Sequence, residues 1–154
     1  MENLKVSEIM KSDVVTVTPE TSVRDLAEIL ATHKISGVPV VDSEYRVIGM
    51  VSEADVILQD ADLHFPYYIN FLDSIIYLGS IRNFEERFRK AFAVKVSDIM
   101  TKDVVSISPD ASVHEAATVM ADRQINRLPV VRAHKLLGIV TRGDIVQAIA
   151  EHKA

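Results

Sequence analysis

Two stretches of the chain carry the same helical stripe. Val23, Leu26, Ala27 and Leu30 fall at i, i+3, i+4 and i+7, and Val113, Ala116, Ala117 and Met120 do so again; that spacing puts apolar side chains on one face of a helix. Each stripe follows a helix-start signal, Ser22-x-x-Asp25 and Ser112-x-x-Glu115, the second a full capping box. Upstream, the β-branched Val14–Val17 run ends at Thr18-Pro19 and predicts a strand followed by a turn. Downstream, Val38–Val41 and Arg46–Val51 predict two strands joined by the polar Asp42-Ser43-Glu44-Tyr45, after which Ser52, like Thr141 in the later stretch, opens a closing helix. Each stretch therefore predicts strand, helix, strand, strand, helix, a mixed α/β (α+β) unit.

The two stretches are copies. At an offset of 90, residues 5–42 and 95–132 share 17 identities in 38 positions, and a one-residue deletion near 132–136 then aligns Gly49-Met-Val-Ser-Glu-Ala-Asp55 with Gly138-Ile-Val-Thr-Arg-Gly-Asp144. This predicts repeats over 5–59 and 95–151. A copy of about 55 residues buries only around 60% of its unfolded surface, so the two are expected to pack about a pseudo-two-fold axis with related clefts between them.

The connector, 60–94, has no counterpart in the other copy. With residues 58 and 59 it holds eight of the nine aromatics, and Phe84, Phe88 and Phe92 at i, i+4, i+8, with charges between them, predict an amphipathic helix. That stripe is expected to pack on the module's own core or on a dimer mate, with a partner groove or ligand lid as alternatives.

Composition narrows the chemistry. With no cysteine there is no disulfide scaffold, thiolate metal site or cysteine nucleophile, which fits a reducing cytoplasm. His33, His64, His114, His134 and His152 show no metal-ligand spacing, and the five glycines never group as a phosphate loop. No apolar run suits a signal peptide or a membrane span. A net charge of -5 argues against nucleic acid. The charge is uneven, with 5 basic and 10 acidic residues in 1–57 but 8 and 7 in 95–154, so a small anionic ligand can still find local cations in the second copy.

Lys-Val-Ser-(Glu/Asp)-Ile-Met, (Ser/Asn)-(Gly/Arg)-(Val/Leu)-Pro-Val-Val and Gly-(Met/Ile)-Val-(Ser/Thr)-x-x-Asp, in order and twice, resemble a tandem pair of cystathionine β-synthase (CBS) domains, a Bateman module. The resemblance implies a non-catalytic regulatory module that binds AMP, ADP, ATP or S-adenosylmethionine in clefts between the copies and pairs further into a homodimer.

The residues themselves leave two readings of the closing motif. Ser52 or Thr141, at the end of a strand, points into a cleft with the first amides of the following helix, and Asp55 or Asp144 three residues on can accept both ribose hydroxyls. The same spacing is also an ordinary capping pattern in which these side chains bond only backbone. Ile35-Ser36-Gly37 and Ile125-Asn126-Arg127 border the predicted strands that open at Pro39 and Pro129 and form a slot for a flat base or plain core; the resemblance adds Val14 and Val104 as base contacts. It also implies clefts assembled across copies, Ser52 and Asp55 with Ile125, Asn126 and Arg127, and Thr141, Arg142 and Asp144 with Ile35, Ser36 and Gly37. On that pairing Arg127 is opposed by Glu53 while Arg142 meets no added acid, so the Asp144 cleft is expected to hold phosphate more tightly. A structural dimerisation module with unoccupied clefts is the competing reading, and an enzyme the weakest, because no base, nucleophile or metal clamp is evident.

Overall fold

The computed structural model describes residues 4–57 and 94–151. The elements are α1 (Val6–Ile9), α2 (Val23–His33), β1 (Gly37–Val41), β2 (Val47–Ser52), α3 (Val96–Ile99), α4 (Val113–Arg123), β3 (Arg127–Arg132), β4 (Lys135–Thr141) and α5 (Arg142–Glu151). Residues 53–57 are also helical. The aromatic connector and its Phe84, Phe88, Phe92 stripe lie outside the described residues.

The sequence signals act as expected in the helices. Ser22 Oγ accepts the Asp25 amide and Ser112 Oγ the Glu115 amide, both at 3.0 Å, which satisfies one otherwise unpaired donor at each helix start. Only this forward half of the predicted Ser112 capping box forms. Val23, Leu26 and Leu30 of α2, and Val113, Ala116 and Met120 of α4, are buried. Both helices end on a left-handed residue that is not glycine, Lys34 (φ 51°) and Gln124 (φ 54°).

The described residues sort into two compact units, one of residues 4–16, 41–49 and 102–151, the other of 17–40, 50–57 and 94–101. In the first unit, the motif Lys5-Val-Ser-Glu-Ile-Met10 forms α1, whose acid caps its own start: the Lys5 amide donates to Glu8 Oε2 at 2.7 Å. The Val6 and Ser7 amides donate to the Ala111 and Pro109 carbonyls. Val6 is fully buried in a cluster with Ile107, Val113, Leu128, Val130, Val140 and Ile145. The opening segment of the first copy thus completes the core of the second. β3 and β4 form an antiparallel hairpin running from Arg127↔Thr141 to Arg132↔Lys135.

In the second unit the matching segment does the reciprocal thing. Lys95 is capped by Asp98 at 3.0 Å, Val96 is fully buried, and Val96 and Ser97 donate to the Thr21 and Pro19 carbonyls. β1 and β2 form a two-stranded sheet.

The strand expected over 14–17 shrinks to a single parallel bridge, Val17↔Val40, as Ile107↔Val130 does in the second copy. Prolines explain the truncation. The Ile107 amide donates to the Pro129 carbonyl and Val131 donates back to Ile107; the next bond one way needs a Pro129 amide and the other way a Pro109 amide, and proline has neither. Pro39 and Pro19 stop the first copy at the same points.

Candidate functional site

β3 begins where β4 ends, so the segment before β3 lies beside the helix that follows β4. The Arg142 amide donates to the Asn126 carbonyl at 3.0 Å. The other copy repeats this with the Glu53 amide and the Ser36 carbonyl at 2.9 Å. Each base-strand segment is therefore hydrogen-bonded to the Ser/Thr-x-x-Asp segment of its own copy. The reason is the hairpin register, which brings Arg127 opposite Thr141.

Around Asp144 the geometry is specific. Its Oδ2 accepts the Thr141 amide at 2.8 Å and the Thr141 hydroxyl at 2.7 Å, a carboxylate closing the first turn of α5. Its Oδ1 meets Lys11 Nζ at 3.3 Å, with the Asp144 side chain 11% exposed and that of Lys11 67% exposed. Lys11 is brought there by backbone: its amide and carbonyl exchange two 2.9 Å bonds with Ile139. Gly138 permits that approach, since a Cβ on it would lie 2.7 Å from Met10 Sδ and 2.9 Å from the Lys11 carbonyl oxygen.

The Asp55 site is similar, with Ser52 in place of Thr141 and Thr101 in place of Lys11. Asp55 Oδ2 accepts the Ser52 amide at 2.8 Å and its hydroxyl at 3.2 Å. Thr101 exchanges two backbone bonds with Met50, 2.8 and 3.0 Å, and so holds the place that Lys11 holds at Ile139. Both Asp carboxylates cap a helix start, as the plain reading expected, but they do not bond backbone alone: each also accepts a hydroxyl, and Asp144 meets Lys11, so that of about four acceptor positions on a carboxylate Asp144 uses three for protein groups.

Other expected residues fall less neatly. Ile35 and Ile125 are half-buried, Ser36 and Asn126 exposed, and Gly37 buried at the head of β1. Val14 and Val104 are half-buried outside any strand. The cation on Asp144 is Lys11, and Arg142 is exposed. Glu53 lines a groove of about 480 Å³ with Leu30, Lys34, Ile35, Ser36, Val56 and Ile57, and Asp55 is not among the lining residues. Sequence reasoning missed Lys11, although the signal was available as the one cation directly after an Ile-Met motif whose copy has Thr101.

Residues 6–62 and 96–151 match the CBS domain family. The chain is a CBS-domain protein. Its tandem CBS pair is 32% identical over 156 residues to an uncharacterized protein of Methanocaldococcus jannaschii, covering 96% of this chain and 92% of that one. It is 31% identical over 144 residues to the inosine-5'-monophosphate dehydrogenase of the same organism, where 93% of this chain spans only 23% of the enzyme. The crystal structure of CBSX2, an Arabidopsis thaliana protein, in complex with AMP superposes with a TM-score of 0.76 at 28% identity, covering 98% and 99% of the two chains. Among the described residues of the CBS pair, no acidic, His or Cys group is arranged to hold a metal and no helix is long and apolar enough to cross a membrane.

Proposed function

We propose that this CBS pair is a non-catalytic, cytoplasmic regulatory module that binds an adenosine-containing ligand, AMP, ADP, ATP or S-adenosylmethionine, and acts as a homodimer on a protein partner. The observation that carries the reading is the AMP complex of CBSX2, a protein of the same fold at 28% identity. The chemistry here suits it. Asp144 and Asp55 are acceptor-only groups for a ribose diol, Thr141 and Ser52 offer hydroxyls beside helix amides, and the Asn126 and Ser36 segments flank a base. Ligand occupancy would signal by population shift, which requires tighter binding to one arrangement than to another.

A second reading, a structural dimerisation module, is favoured by the capping bonds that Asp144 and Asp55 already make to their own backbone. A thermal-shift series with AMP, ADP, ATP, S-adenosylmethionine and NAD separates the two. A ligand at about 100 times its Kd stabilises the native state by about 2.7 kcal/mol, a plain rise in Tm. Absence of any shift at millimolar ligand sinks the sensory reading, and an Asp144→Ala chain that keeps its fold and its full shift removes Asp144 from the site.

A further inference from the structure

The two Asp sites are built alike, and one of their differences is the charge that a backbone bridge brings to the carboxylate. Backbone bridges of the same kind, Lys11 on Ile139 and Thr101 on Met50, deliver the residue after each Ile-Met motif to the strand that leads into each Ser/Thr-x-x-Asp helix. In one copy that residue is a cation whose Nζ lies 3.3 Å from Asp144 Oδ1; in the other it is a neutral threonine. We infer that Lys11 makes the Asp144 site the one that selects a phosphorylated adenosine ligand, and that the Asp55 site, with Thr101 in that place, takes adenosine ligands without regard to phosphate.

The inference rests on the adenosine reading above. Asp144 holds Lys11 while its own lone pairs are shared; a ribose diol donating to Asp144 competes for those lone pairs, and the flexible ammonium then turns to the nearest anion, a phosphate. Lys11 thus serves as a specificity residue, with the carboxylate as its resting partner. Its exposed side chain limits the size of the effect, since exposed charge pairs are weak and screened by salt.

Calorimetric titration of the full chain with AMP and with adenosine tests this. Lys11→Met keeps the aliphatic stem and removes the charge. It is expected to weaken AMP by up to about fivefold while leaving adenosine unchanged. Lys11→Arg keeps the preference, and Thr101→Lys creates one at the Asp55 site. The preference also falls at high salt. An unchanged AMP-to-adenosine ratio in Lys11→Met, or an equal loss for both ligands, overturns the inference while leaving the adenosine reading intact. If the unaltered chain binds neither, the adenosine reading itself fails, and the inference with it.

Discussion

The amide of Val6 donates to the carbonyl of Ala111 at 2.9 Å, and the Val6 side chain has no exposed surface. A residue at the start of the first copy is therefore structural property of the second. Val6→Ala removes two buried carbon atoms from the cluster around Leu128 and Val140 and is expected to cost about 2 kcal/mol, read as a lower urea midpoint. Val96→Ala should do the same for the other unit. A Val6→Ala chain with an unchanged midpoint would detach the opening segment from the core.

That exchange marks the limit of what the sequence made legible. The motif Lys5-Val-Ser-Glu-Ile-Met10 is legible as a repeat, but nothing in it says that Val6 is buried or which copy supplies the burying surface, because that contact is long-range. The helix stripes were legible because their period and their Ser22 and Ser112 caps are local. The strand over 14–17 was misread for a local reason: β-branched residues raise strand propensity, while the donors a ladder needs are missing at prolines 19 and 39.

The candidate site divides in the same way. Thr141 and Asp144 are neighbours in sequence, so their hydrogen bonds follow from spacing. Lys11 reaches Asp144 through a bridge to Ile139 that only the folded chain creates. Arg142 is adjacent to Thr141 in sequence and therefore visible there as a candidate cation, whereas Lys11 is remote in sequence from the carboxylate it meets.

The β3–β4 hairpin turns on Ala133 and His134, both in the left-handed region at φ 50° and 66°. A two-residue turn of this kind prefers Asn-Gly, because other side chains are strained there. Ala133→Asn with His134→Gly is expected to stabilise the chain by about 1 kcal/mol, seen as a higher Tm. A fall in Tm would mean that the His134 side chain contributes more than the strain costs.

Asp42 organises the corresponding loop in the first copy. The Arg46 amide donates to its Oδ1 at 2.9 Å, as does the Glu44 amide, and Arg46 Nε donates to Oδ2 at 3.0 Å. The Arg46 backbone bond first, then its guanidinium, hold the carboxyl below its ordinary value of 3.8. A carboxyl lowered on folding stabilises the native state above its unfolded pKa and loses that contribution as pH falls through the folded one. Denaturation curves from pH 6 down to pH 2 should therefore show an acid limb that Asp42→Asn makes shallower below about pH 4. Parallel limbs in the two chains would remove Asp42 from the acid response.

Gly138 and Gly143 give a matched pair of substitutions in one motif. A Cβ on Gly143 meets nothing closer than Thr141 Oγ1 at 3.6 Å, ordinary contact, and the position lies in α5, so Gly143→Ala should raise stability by up to about 1 kcal/mol through helix propensity. A Cβ on Gly138 meets Met10 Sδ at 2.7 Å and the Lys11 carbonyl oxygen at 2.9 Å. The thioether can swing aside, but the carbonyl is one half of the bridge to Ile139 and cannot move without breaking it. Gly138→Ala should then cost about 1–3 kcal/mol and speed hydrogen exchange at the Lys11 and Ile139 amides. Trimming Met10 to alanine in the same chain should recover only part of the loss, because the Lys11 carbonyl remains in the way. Full recovery would show that the thioether, and not the Lys11 backbone, sets the need for glycine.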